Sequence, residues 1–193
     1  MRLIGITGGI GAGKSVVSRI LRLKGYEVYD CDMEARAIMD ASEELKEALR
    51  ERFGTRCVRP DGCLDRKEIA GHVFGNDSHR KWLNSIVHAL VRDDLAARIA
   101  GSDSDVFFVE SAILHTSHLD EMCDSVWIVD APEELRLERA CRRDGAGRES
   151  VLARIKSQRD ELANIRCGNV ATILNDGRKP LLSQIEELTL SIK

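Results

Sequence analysis

"GITGGIGAGKS", Gly5 to Ser15, is the stretch on which the reading of this chain turns, with five glycines and one lysine in eleven positions. Before it, Leu3-Ile4-Gly5-Ile6-Thr7 reads as a short buried strand. After it, an apolar pattern with helical spacing runs from Ser15-Val16-Val17 through Ile20-Leu21. Between the two, Gly8-x-x-x-x-Gly13-Lys14-Ser15 satisfies the phosphate-loop pattern in the strand-to-helix setting that the pattern requires. Glycine tolerates positive φ and lets backbone N–H groups approach a polyphosphate with no side chain between. Gly8, Gly9, Gly11, Ala12 and Gly13 therefore form an anion cradle, and Val16 lies in the helix whose N-terminus adds about half a positive charge. Lys14 can reach the β- and γ-phosphates and the Ser15 hydroxyl can ligate Mg²⁺, so the expected ligand is a nucleoside triphosphate with magnesium. The dinucleotide form G-x-G-x-x-G is absent, which argues against a nicotinamide-binding reading.

Composition sets the outer limits. A chain of 193 residues, 43% hydrophobic and 32% charged, suits one compact domain or one with an insertion. Its net charge of −3 provides no broad basic field for nucleic acid, so small anionic ligands are the expected partners. Cys31, Cys57, Cys63, Cys123, Cys141 and Cys167 form no C-x-x-C pair and read as reduced thiols in a cytoplasmic protein. No apolar run approaches the roughly 18 residues that a membrane helix needs, and the N-terminus lacks a cleavage-like site.

Further along, Glu27-Val28-Tyr29 reads as a second strand ending at Asp30-Cys31-Asp32, with a helical pattern from Met33 to Met39. Ligands bind at the C-terminal edge of an open parallel sheet, which puts Asp30 and Asp32 beside the phosphate loop. On an extended segment the two share a face; one can act as a base on a hydroxyl with the other near the metal, or both can cap the helix. Residues 42–100 read as helical, broken at Arg59-Pro60-Asp61-Gly62, at Gly71 and at Gly75 to Asp77: a helical insertion available to a second substrate. Asp105–Val109, Ser125–Asp130 and Ala171–Leu174 complete a five-stranded parallel sheet of α/β class.

Pro132 marks a helix start, and Arg136, Arg139 and Arg143 then recur on one face, joined by Arg142. The break Asp144-Gly145-Ala146-Gly147-Arg148-Glu149 precedes another helical stretch, Val151–Leu162. Arginines flanking a flexible break suit a lid over phosphates, against the plainer reading of a solvated helix with Glu138 paired to Arg142. The D-x-x-G match at Asp144–Gly147 lies in this lid and has no N-K-x-D companion, so it reads as chance. His115-x-x-His118 with Glu110 and Glu121 lacks a zinc motif and reads as a surface loop, and Trp82 and Trp127 read as core.

From first strand to last helix, the chain resembles the dephospho-CoA kinase family. The resemblance rests on Ile6 to Ser15, on Val28-Tyr29-Asp30-Cys31-Asp32 with Ala35-Arg36, and on Trp82-Leu83-Asn84 with His88. It extends to Leu137-Glu138-Arg139, Arg143-Asp144, Arg148-Glu149 and Ile173-Leu174-Asn175-Asp176-Gly177. It implies a P-loop NTPase three-layer sandwich with core 1–32, 104–138 and 168–193, a helical CoA-binding region about 33–103 and a lid about 139–165. It also implies ATP- and Mg²⁺-dependent phosphorylation of the ribose 3′-hydroxyl of dephospho-CoA, the last step of coenzyme A biosynthesis, by a cytoplasmic monomer or small homo-oligomer.

By the same resemblance, Asp32 activates the acceptor hydroxyl, Lys14 and Arg139 join it in catalysis, and Arg66 and His88 contact the acceptor. Arg143 and Asn175 join the nucleotide site, with Arg148 near the phosphates, and Ser15 serves the metal. Val16 stands where relatives carry a second hydroxyl residue, Ala89, Ala112 and Thr116 replace the family's proline, proline and glutamate, and Gly168-Asn169 its Ala-Asp. Two other readings stay open on the residues alone: a kinase for another nucleoside or nucleotide, and a nucleotide-binding switch that transfers nothing.

Overall fold

In the computed structural model, which describes residues 1–192, the chain divides into two compact units, one of residues 1–30 with 103 onward and one of residues 31–102. The first unit is built on β1 (Arg2–Thr7), β2 (Glu27–Asp30), β3 (Val106–Glu110), β4 (Ser125–Asp130) and β5 (Val170–Leu174). All pairings are parallel, in the order β2-β3-β1-β4-β5. β1 is central, with β3 and β2 on one side and β4 and β5 on the other, so the loop leaving β1 opens at the switch point of the sheet.

The near-continuous apolar runs of β1 and β3 follow from burial on both faces of a parallel sheet. On one face Ile4, Ile6, Phe108, Trp127, Val129 and Ile173 pack with Val17 and Leu21 of α1 (Lys14–Leu23) and Ile185 and Ile192 of α9 (Leu181–Ile192). Phe108 ties this core together, meeting Tyr26 edge-on at 5.4 Å and Trp127 at 5.2 Å between ring centroids. On the other face Gly5 leaves room for Leu114, whose side chain would lie 2.7 Å from an added Cβ. The unit is completed by α6 (Glu133–Asp144), α7 (Arg148–Ser157) and α8 (Arg159–Ala163). The helix expected over Val151–Leu162 is thus two helices, interrupted at Gln158.

The second unit contains α2 (Cys31–Ala41), α3 (Glu43–Phe53), α4 (Arg66–Val73) and the 24-residue α5 (Asp77–Ala100). Side chains at three N-caps explain the starts: Ser42 accepts from Leu45 N–H, Asp65 from Lys67 and Glu68 N–H, and Asn76 from His79 N–H. Its core of Leu45, Leu49, Cys57, Leu64, Ile69 and Leu83 includes half-buried Trp82, over whose ring the Arg52 guanidinium lies at 4.6 Å. A single antiparallel bridge, Val58 to Leu64, frames the Arg59–Gly62 turn in a region whose sequence shows no strand pattern.

Phe108 sits fully buried between two aromatic neighbours, so its truncation leaves a cavity at the centre of the sheet. Phe108→Ala is expected to cost about 3–5 kcal/mol, read in a thermal melt as a fall of roughly 10 °C or more.

Candidate active site

The phosphate loop is shaped as much by what surrounds it as by its own glycines. Gly11, at φ 76°, lies under α6: a Cβ there would stand 2.1 Å from the Arg136 carbonyl oxygen. Gly13, at φ 103° and ψ 26°, is the N-cap of α1 and brings no side chain to cap it, which leaves the first-turn amides for an anion. A Cβ at Gly13 would meet Asn175 Nδ2 at 2.2 Å. Asn175 in turn donates from Nδ2 to the Ala12 carbonyl at 2.8 Å, and its own N–H donates to Asp130 O at 2.7 Å. Arg139 donates to the Asn175 carbonyl at 3.0 Å. The structure thereby joins three sequence-predicted elements, the loop, Arg139 and Asn175, in one hydrogen-bonded set. Lys14 Nζ donates back to the Gly8 carbonyl at 2.9 Å, a bond that a triphosphate's oxygens can replace. Ser15 and Val16 are exposed on the first turn of α1.

The carboxylates differ from the sequence expectation in one respect. Asp30 ends β2, but the helix begins at once with Cys31, so Asp32 belongs to the first turn of α2 and does not share an extended face with Asp30. The tight strand-to-helix junction replaces the two-residue period with the helical one. Beside Asp30 in the sheet register stands Glu110, which also pairs with Ile6 of β1. Burial pushes the Glu110 carboxyl above its usual range and neighbouring Asp30 adds to this, while Ser18, Lys14 and Arg22 pull the other way. The Ser18 hydroxyl lies beside it without reaching full hydrogen-bond geometry, and Glu110 Oε2 has no hydrogen-bond partner among the described residues. Glu110, read from the sequence with His115 and His118 as part of a surface loop, is instead the buried last residue of β3 and a candidate site residue; the signal was an acid closing an otherwise apolar strand, Val106-Phe107-Phe108-Val109-Glu110.

Arg136 was legible only as one of a row of arginines. Its position is closer to the loop than that row implies: a Cβ on Gly9 would stand 2.0 Å from its Nη1, and its buried Nε has no partner among the described residues. Arg143 instead is exposed and paired to Asp144 at 2.7 Å, which raises its guanidinium pKa further; Asp144 also holds Arg154 at 3.0 Å. Arg148 pairs with Glu134 at 2.9 Å. No ion pair joins Glu138 to Arg142 among the described residues.

Asp32, Arg66 and His88 lie on α2, α4 and α5 of the second unit. There Arg98 of α5 pairs with Glu34 near the start of α2 at 3.1 Å, and Arg66 pairs with Asp40 near its end at 2.8 Å. Asp32 and the Arg66–Asp40 pair are separated by roughly 12 Å of helix at 1.5 Å per residue. Asp32 and Arg66 therefore sit toward opposite ends of α2.

His115 and His118 do not converge: His115 Nδ1 meets the buried Asp120 at 3.0 Å, and His118 Nδ1 meets Glu121 at 3.2 Å. Among the described residues no three His, Cys, Asp or Glu side chains are grouped to hold a metal, and no helix is long and apolar enough to cross a membrane. The six cysteines are free thiols.

A parallel sheet with a phosphate loop at its switch point has well-defined relatives. The family model described as dephospho-CoA kinase matches residues 2–180. A dephospho-CoA kinase of Porphyromonas gingivalis is 38% identical over 193 residues, covering 100% of this chain and 95% of that protein. Among solved structures, a Thermus thermophilus protein superposes with a TM-score of 0.83 at 32% identity, over 98% of this chain and 96% of the other. The dephospho-CoA kinase of Campylobacter jejuni, at 24% identity and full coverage of both chains, shares the fold with a TM-score of 0.71. With that match running through both units and taking in the whole phosphate loop, the chain belongs to the dephospho-CoA kinase family of ATP-dependent phosphotransferases.

Proposed function

We propose that this protein transfers the γ-phosphoryl group of ATP to the ribose 3′-hydroxyl of dephospho-CoA, giving coenzyme A and ADP. The observation that carries this is an intact phosphate loop, held open by Arg136 and Asn175, in a chain matched to dephospho-CoA kinase from residue 2 to residue 180. A kinase for another nucleoside shares the loop but not a family match through the helical unit.

Phosphoryl transfer asks little covalent chemistry of the protein; it needs positioning and neutralisation of charge. In this reading the first-turn amides of α1 and the Lys14 ammonium hold the β- and γ-phosphates. Arg139 fixes the Asn175 wall of the loop and, in this reading, stabilises the transferring group. Arg143 and Arg148 leave Asp144 and Glu134 for phosphate oxygens, an exchange made easy for Arg148 because an exposed ion pair is weak. Asp32, exposed at the start of α2, accepts the proton of the 3′-hydroxyl, while Arg66 and His88 hold the acceptor.

Mg²⁺ fits the residues present. Ser15 offers a hydroxyl at the loop, and Glu110 offers a buried carboxylate oxygen with no partner among the described residues. The lack of a ready-made acidic cage among the described residues suits an ion that arrives bound to the triphosphate and keeps several waters. Bound there, Mg²⁺ would neutralise charge on the phosphate oxygens. We place the reaction in the cytoplasm.

ADP release with and without dephospho-CoA, with the product's mass and phosphate position checked, tests the function. Acceptor-dependent release with one added 3′-phosphate is expected; release with adenosine but not dephospho-CoA would refute it. Lys14→Ala should lower kcat/KM on the order of 10²–10³-fold. Asp32→Asn should keep ATP affinity and lower kcat on the order of 10²–10⁴-fold; near-normal turnover would remove Asp32 from the chemistry.

Glu110 gives a pH signature. Because its carboxyl is raised in the folded chain, the folded state binds the proton more tightly than the unfolded state. Its contribution to stability is therefore most favourable at low pH and is lost as pH rises from the ordinary carboxylate range through the raised value. Glu110→Gln should melt higher than the parent at pH 8, flatten this part of the pH dependence, and transfer phosphate more slowly.

A further inference from the structure

Ile10 stands in the middle of the phosphate loop, and its side chain leaves the loop altogether. It packs into the small core made by Leu137 and Ala140 of α6 with Val151 and Ile155 of α7. Its backbone N–H donates to Gln158 Oε1 at 2.7 Å. Gln158 lies at the break between α7 and α8, at the far end of the helix that follows the glycine hinge Gly145–Gly147. Two contacts of different kinds, one apolar and one a hydrogen bond across 148 positions of sequence, thus join the loop to the lid helix.

Neither contact is explained by the loop's own needs. Within the loop, Ala12 N–H is already satisfied by the Gly9 carbonyl, and Asn175 fixes the Ala12 carbonyl. The Ile10 amide would otherwise be one more donor available to an anion. Committed to Gln158, it is withdrawn from the phosphates, which limits the cradle to the amides nearer α1. A glutamine suits this position because a neutral acceptor brings no negative charge beside a triphosphate.

We propose that Gln158 is a positioning residue: with Ile10 as an apolar plug, its side chain latches α7 to the phosphate loop, so that ATP binding and docking of the lid are one coupled equilibrium. A loop in the cradle conformation presents Ile10 and its N–H to the lid, and a docked lid holds the loop in that conformation. By linkage, what stabilises one stabilises the other to the same extent. Arg136 closes the third side, since its guanidinium and carbonyl occupy the space that side chains on Gly9 and Gly11 would need.

The proposal rests on ATP being the ligand of the loop, and the test is chosen to read the latch without the transfer reaction. ATP is titrated directly against the protein, and tryptic cleavage at Arg142, Arg143, Arg148 and Arg154 is followed with and without ATP. In the parent, ATP should protect this segment. Gln158→Leu, of similar size but without an acceptor, should weaken ATP binding up to about tenfold, the loss expected for one partly buried hydrogen bond, and abolish the protection. The KM for dephospho-CoA should stay within twofold. Ile10→Ala, which keeps the backbone bond and removes the plug, should act in the same direction, and the double variant should fall short of the product of the two effects. ATP affinity within twofold of the parent in both variants, or strictly independent effects, would overturn the latch. A protein that binds ATP as described but never phosphorylates dephospho-CoA would refute the proposed function and leave the latch standing.

Discussion

The phosphate loop has to be made of nearly bare backbone, and bare backbone does not hold its own shape. That constraint organises the first unit. Glycine carries the largest entropy loss on ordering, so a loop with Gly8, Gly9, Gly11 and Gly13 needs its conformation imposed from outside. The neighbours that impose it come from three later parts of the chain: Arg136 of α6 against Gly9 and Gly11, Gln158 on the Ile10 amide, and Asn175 on Ala12 and Gly13. The central place of β1 in the sheet brings Arg136 and Asn175 within reach. β4 lies directly beside β1 and leads into α6, while β5 lies beside β4 and ends at Leu174, just before Asn175. The strand order therefore makes the binding loop possible as well as locating it.

This explains which parts of the fold and site could be read from residues in order. The loop, β1 and α1 are local: the glycine spacing and the apolar pattern lie within about twenty positions, and they read correctly. The strands read well because burial on both faces selects short apolar runs, as in Ser125–Asp130. The junction after β2 read less well. Strand and helix periods both fit Asp30-Cys31-Asp32 until the position of the helix start is known, and the start at Cys31 puts Asp32 in a helical turn.

Residues whose importance comes from tertiary neighbours were least legible. Glu110 is one acid among many until the parallel register sets it between Ile6 and Asp30. Gln158 carries no motif in the reading of residues alone, and a glutamine inside an amphipathic stretch looks like a solvated position. Only the break between α7 and α8 frees its side chain to reach back to Ile10. Arg136, Arg139 and Arg143 share a sequence pattern but divide in the fold: Arg136 is packed on the loop, Arg139 is bonded to the Asn175 carbonyl, and Arg143 is paired with its neighbour Asp144. Helical spacing placed them on one side of α6 and could not say which would be built into the loop and which would remain on the surface.

That division bears on how a phosphotransferase closes around its nucleotide. Arginines that shape the loop are committed by contacts with backbone, as Arg139 is to a carbonyl. Those farther along are held by carboxylates, Arg143 and Arg154 by the partly covered Asp144 and Arg148 by the exposed Glu134. Exposed pairs of this kind contribute little to stability, whereas a guanidinium on phosphate makes shorter, charge-assisted and often bidentate bonds. In the proposed mechanism a triphosphate in the loop draws Arg143 and Arg148 from their carboxylates without disturbing Arg139 and Asn175, which keep to the loop. The carboxylates left behind lie at the surface, where water takes the place of the lost partner.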